Sequence, residues 1–163
     1  AEMSGVDLTG VPLRGVELSA VKMEKATLTG INMTGSSLSM AQLAGALMNR
    51  VNCSDADLRG AQLVGTNLCG ANLSHARMNR MRIAGGLEAE WPTNLSNADM
   101  RGTNLKFADM SNANLERANL RKADFRDANL TEAVFLDTDL TGADFRGATV
   151  TGADFRGAVG YKP

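Results

Sequence analysis

An apolar side chain recurs every five residues along almost the whole of this chain, an interval that neither an α-helix nor a β-strand can use. Stepping by five from Met3 through Leu8, Leu13 and Leu18 to Leu73, Met78 and Ile83 gives seventeen apolar residues in succession. A second run, from Leu95 through Leu105, Leu115, Phe125, Phe135 and Phe145 to Phe155, adds thirteen more. Apolar residues make up 44% of the chain, so thirty hits in thirty places would arise by chance roughly once in 10¹¹ trials. On an α-helix five residues turn a side chain by about 140° net, and on a strand they send it to the opposite face. A backbone that turns a corner every five residues returns each of these centres to one axis. The period therefore predicts a chain coiled as a square tube.

Two further columns follow the same beat. Two places before each centre stands a small or β-branched residue, Val6, Val11, Val16 and Val21 at first and then mostly alanine, as in Ala108, Ala113, Ala118 and Ala123. Small residues there let the corners approach the axis. Two places after each centre stands glycine in fifteen cases of the chain's seventeen glycines, with Asp55, Asn97, Asn112, Asp127 and Asp137 in the same slot. Gly, Asn and Asp tolerate the positive φ that the third residue of a type II turn requires, so this column predicts a β-turn at every corner.

Read as Ala-(Asp/Asn)-Leu-x-x, with Ala-Asp-Leu-Arg-Gly at 56–60, Ala-Asn-Leu-Ser-His at 71–75 and Ala-Asp-Phe-Arg-Gly at 143–147 and 153–157, the chain resembles the pentapeptide-repeat family over essentially its full length. The resemblance implies an all-β fold, a right-handed quadrilateral β-helix with about twenty residues per coil. About eight coils stacked at the strand spacing of about 4.8 Å would give a rod of roughly 35–40 Å. The family's best-known branch protects or inhibits bacterial DNA gyrase by imitating DNA, and other members resemble protein-binding modules.

The whole chain, 1–163, reads as a single solenoid with an interruption at about 84–94. The step from Ile83 to Leu95 is twelve positions where the beat wants ten, which predicts an insertion of two residues. Strict phase would put Glu88 on the axis, where an unpaired carboxylate is costly to bury, so the chain is expected to bulge outward there. The bulge carries Trp91, either folded over the next coil or offered to a partner. Neither end supplies a capping helix. The expectation is that the chain is a segment of a longer protein or that uncapped coils associate end to end, with Tyr161 the only large residue available to plug an end.

Composition limits the chemistry. One histidine and two cysteines cannot assemble the usual four-ligand His/Cys zinc site, and no metal or cofactor is expected. Cys53 is a centre and should face inward, whereas Cys69 should face out, so no disulfide is predicted. His75 falls in a turn slot. Carboxylates precede many centres, but the repeat explains them as turn-bonding side chains, so no catalytic pair is assigned. No apolar run is long enough to span a membrane. Seventeen Lys and Arg against eighteen Asp and Glu give no polyanion or polycation, and nucleic acid is not an expected partner.

The candidate interaction surface is Trp91 with Arg80 and Arg82 beside the interruption, together with two stacked basic columns. At twenty residues per coil Lys106, Arg126 and Arg146 fall on one face, and Arg101 and Arg121 on the adjoining one. Like charges at this spacing repel unless compensated. Asp124 and Asp144, two positions before Arg126 and Arg146, make the column either a neutralised ion-pair lattice or an anion or partner site. The functional expectation is a non-enzymatic protein-interaction scaffold, and the alternative is a DNA-mimicking regulator of gyrase. Against the latter, the chain is expected to lack the gyrase-binding branch's long projecting loops.

Overall fold

The structure, a computed structural model, describes residues 1–82 and 90–162. In it the residue before most centres pairs in parallel with the one twenty positions on. Glu2 bridges Lys22, Lys22 bridges Gln42 and Gln42 bridges Gln62, and three more such columns begin at Asp7, Glu17 and Asn32. The chain is thus wound as a four-sided β-helix. Each side contributes a single bridging residue because a turn closes on either flank of it.

The hydrogen bonds of one repeat explain its sequence. In Val51-Asn52-Cys53-Ser54-Asp55, the Val51 amide closes the preceding turn onto Met48 O at 3.1 Å, Asn52 N donates to Ile31 O at 2.9 Å in the coil before, and Cys53 N and Asp55 N donate to Asn72 O and Ser74 O in the coil after, at 2.8 and 3.0 Å. Only the amide of Ser54 has no backbone acceptor, and the Asn52 Oδ1 takes it at 3.2 Å. The Asp/Asn column is therefore the side chain that satisfies the one amide the coil leaves over, which is why a short acceptor is needed at that place.

Every described turn slot from Gly5 to His75 and from Asn97 to Gly157 has positive φ. This extends the glycine reading, since Ala20, Lys25, Met40, Arg50, His75, Phe107, Arg117, Lys122 and Glu132 adopt the same left-handed backbone. The coil-to-coil bonds impose the turn at a cost of about 1–2 kcal/mol per non-glycine residue. Long side chains in this column lean over the slot of the following coil. A Cβ added at Gly45 would stand 3.5 Å from Lys25 Cγ, and one at Gly142 the same distance from Lys122 Cγ. A bulky turn residue is thus often followed twenty positions later by glycine, which leaves room beneath it.

The centres and the alanine column form one continuous buried core from Leu8 to Leu140. Where the small-residue column carries a hydroxyl it is buried and bonded, as Ser36 Oγ to Leu13 O at 2.6 Å and Thr66 Oγ1 to Leu43 O at 3.0 Å. Towards the C-terminal end the core becomes aromatic in two interleaved stacks. Phe125 lies on Phe145 and Phe135 on Phe155, each pair with ring centroids 4.8 Å apart. Tyr161 caps the second stack, 3.8 Å from Phe155 and nearly parallel to it at 8°. Tyr161 does plug the end.

The interruption is larger than the simple count suggests. Gln62 bridges Asn94, Asn67 bridges Asp99, Asn72 bridges Asn104 and Arg77 bridges Asp109, each 32 residues apart rather than 20. Twelve residues, 81–92, are therefore additional to the coil, not two. Their ends form a hairpin, β1 (Met81–Arg82) antiparallel to β2 (Glu90–Trp91), with Met81 opposite Trp91 and Arg82 opposite Glu90. The expectation that the chain lacks the gyrase-binding branch's long projecting loops falls on residues 83–89, which lie outside the described residues. Ile83, Gly85 and Glu88, to which the five-residue beat assigned a centre, a turn and an axial position, lie outside the described residues. No helix of the described residues is long and apolar enough to cross a membrane.

Candidate interaction surface

The hairpin leaves the coil at the corner where Met40 and Gly60 stack. At ordinary corners the turn-slot amide donates to the carbonyl nineteen residues on, as Met40 N does to Arg59 O at 2.9 Å. At Gly60 the amide goes instead to Thr93 Oγ1 at 3.0 Å. The Thr93 hydroxyl in turn faces Leu58 O at 3.0 Å and Asn79 O at 3.3 Å. A fully buried threonine thus bridges the gap that the insertion opens in the ladder. Gly60 also makes the seat on which the hairpin rests, because a Cβ there would stand 2.7 Å from Met40 Sδ and 3.0 Å from Met81 Cβ.

Trp91 stands on this hairpin with 45% of its surface exposed. Beside it Arg80 is paired with Glu90, and Arg82 Nε reaches the same carboxylate at 3.4 Å. Beneath the hairpin an open groove of about 380 Å³ is lined by Arg59, Asn79, Arg80, Arg82, Ser111 and Asn112, together with Met81. The structure therefore brings Trp91, Arg80 and Arg82 together at one corner, and it adds Arg59 from the preceding coil. Arg59 was missed because its proximity to Arg82 depends on where the insertion leaves the tube.

The basic columns stand where the twenty-residue beat places them, and each cation has a carboxylate partner. Where the residue before the centre is Asp, its second oxygen takes the Arg two places on. Arg101 holds Asp99 through Nε and Nη2 at 2.8 and 2.7 Å. Arg126 holds Asp124 at 2.9 and 2.8 Å, and Arg146 Nη2 reaches Asp144 at 2.6 Å. Where that residue is Asn, the cation reaches into the following coil, Lys106 to Asp124 at 3.3 Å and Arg121 to Asp139 at 3.1 Å. Lys106, Asp124, Arg126, Asp144 and Arg146 form one ladder of alternating sign, closed by Arg126 Nε at 3.7 Å from Asp144. The Arg146 side chain and amide, aided by Arg126, hold the Asp144 carboxyl down at about 2.

Cys53 is buried among the centres, which pushes its thiol up to about 12, and Cys69 is half-buried; both are free. His75 is exposed in its turn slot and stacks on Phe107, ring centroids 4.8 Å apart and planes 13° apart. Among the described residues no three His, Cys, Asp or Glu side chains gather closely enough to hold a metal ion.

The chain belongs to the pentapeptide-repeat family: the family model described as Pentapeptide repeats matches it in eight copies, over residues 1–39, 13–50, 36–74, 52–83, 93–117 and 118–157. No curated protein matches it. Among solved structures it is similar to two trypsin-treated variants of QnrB1, a plasmid-mediated fluoroquinolone resistance protein. One is 18% identical over 99% of this chain and 83% of that one, with a TM-score of 0.51, and the other 19% identical over 97% and 91%, with a TM-score of 0.55. HetL, a pentapeptide repeat protein involved in heterocyst differentiation regulation in the cyanobacterium Nostoc, is 24% identical over 99% of this chain and 87% of its own, with a TM-score of 0.32. The likeness to the QnrB1 variants is one of fold.

Proposed function

We propose that this chain is a non-enzymatic protein–protein interaction scaffold, a right-handed quadrilateral rod of about eight coils that presents a partner-binding corner at the hairpin. The observation that carries this reading is Trp91, exposed on an element additional to the coil ladder. Aromatic anchors on projecting loops are favoured contact residues. Arg80 and Arg82 flank it, and the Arg101, Lys106, Arg121, Arg126 and Arg146 columns extend the surface along the rod. These columns are already balanced by carboxylates, so their role is to set orientation and on-rate rather than affinity. Affinity capture from the native host with the full-length gene product tests the proposal. Trp91→Ala should lose the captured partner without lowering the melting temperature, and undiminished capture would contradict it.

The fold likeness to a fluoroquinolone resistance protein supports a second reading, a DNA-mimicking regulator of gyrase. Charge favours the first. Duplex DNA carries about one charge per 1.7 Å of axis, so a rod of this length would need on the order of twenty uncompensated acidic groups on its binding side. The chain has eighteen acidic residues in all, against seventeen basic ones. A supercoiling assay at low salt, where electrostatics is strongest, should show neither inhibition nor protection of gyrase at micromolar protein. Salt-sensitive inhibition there would promote the second reading.

A further inference from the structure

We propose that Met40 and Met81 form an oxidation-sensitive seat beneath the hairpin, a modification site that goes beyond the scaffold reading and needs no partner. The chain has nine methionines. Six of them, Met23, Met33, Met48, Met78, Met100 and Met110, are centres with no exposed surface. Met40 and Met81 are not centres, and both are half-buried. Met81 also lines the open groove of about 380 Å³, where a small oxidant can reach it. The two converge on one glycine. A Cβ at Gly60 would stand 2.7 Å from Met40 Sδ, 3.0 Å from Met81 Cβ and 3.4 Å from the Trp91 carbonyl oxygen. The sulfur of Met40 and both strands of the hairpin therefore rest on the same glycine face.

The chemistry of the thioether gives this placement its consequence. Hydrogen peroxide transfers one oxygen to a methionine sulfur, the S–O bond forming as the O–O bond breaks, so that sulfur is oxidised to the sulfoxide and the peroxide is reduced to water. An apolar, adaptable side chain becomes a polar one. At Met40 the new oxygen arrives at the Gly60 seat. At Met81 it arrives on the strand position directly opposite Trp91, and opposed positions of an antiparallel pair share one face. Both changes weaken the packing of the hairpin on the coil. The six axial sulfurs are shielded from the oxidant, so the rod keeps its core. Met3, a half-buried centre of the first coil, is the remaining methionine and serves as an internal comparison.

Timed exposure of the intact protein to excess hydrogen peroxide, followed by peptide mass spectrometry, tests the inference. Met40 and Met81 should each gain one oxygen at least tenfold faster than Met78 and the other five axial methionines. Trp91 is the chain's one tryptophan, so its emission reports on the hairpin. The emission should move to longer wavelength as Met40 and Met81 oxidise, with the circular dichroism of the rod unchanged. The double variant Met40→Leu/Met81→Leu substitutes side chains of similar volume and keeps Met3, Cys53 and Cys69. Its emission should not respond to peroxide, whereas Met3→Leu should respond as the intact protein does. Oxidation of Met40 and Met81 no faster than that of Met78, a steady emission after both are fully oxidised, or an undiminished response in the double variant would each overturn the inference.

Discussion

Thr93 and Gly60, 33 residues apart in the chain, are joined by a buried hydrogen bond from the Gly60 amide to the Thr93 hydroxyl at 3.0 Å. That bond splices the ladder across the insertion. Thr93→Val keeps the shape of the side chain and removes the acceptor, so the Gly60 amide is stranded. The expected loss is about 1–3 kcal/mol in a denaturant titration, and Thr93→Ser should recover most of it. A neutral Thr93→Val would mean that the splice is not made in solution.

Tyr161 closes the aromatic end of the core. It stacks on Phe155 and meets Phe145 edge to face at 5.3 Å. Tyr161→Ala uncovers both rings, and for a side chain only partly buried the loss should be about 1–2 kcal/mol. Tyr161→Phe should be close to neutral, because the contact is made by the ring. Hydrogen exchange should show the loosening confined to the last coils, since each coil of a solenoid contacts only its neighbours.

The alternating ladder predicts an acid limb to the stability curve. Hydrogen bonds from the Arg146 side chain and amide hold Asp144 down at about 2, and Arg126 and Arg156 lower Asp124 and Asp154 in the same way. A carboxyl whose folded pKa lies below its unfolded value near 4 stabilises the fold fully above that value and progressively less as pH falls towards 2. Melting temperature should hold steady between pH 5 and 7, to take round limits, and fall below about pH 4. Arg146→Gln should shrink the fall, and so should added salt, because these pairs face solvent. An acid limb untouched by both changes would place its origin elsewhere.

The tube was readable from its centres because burial on a single axis forces one apolar residue per repeat with no exception. The ion pairs were legible only as one of two alternatives, because Asp and Arg two places apart lie on the same side of a coil while the coil-to-coil pairs of Lys106 with Asp124 and Arg121 with Asp139 needed the structure. The size of the insertion was hidden by Ile83, which keeps the five-residue beat inside a segment whose flanks have already left the ladder. With an insertion of two residues the neighbour of His75 would be Asn97; with twelve it is Phe107, on which His75 stacks. Thr93 sits in the small-residue column, so its identity gave no sign of the splice. The groove followed the same fate, because Arg59 and Arg82 come to line one space only once the exit point of the hairpin is known.

The account holds that the hairpin is an addition to a complete coil and that it carries the contact. Deleting residues 81–92, so that Arg80 is followed by Thr93, restores the twenty-residue spacing of Gln62 and Asn94. Affinity capture with this deletion, run beside the intact protein and checked for folding by circular dichroism and melting, tests both halves together. The account predicts a folded rod that captures no partner. A deletion that fails to fold, or one that folds and captures the partner as fully as the intact chain, would contradict it.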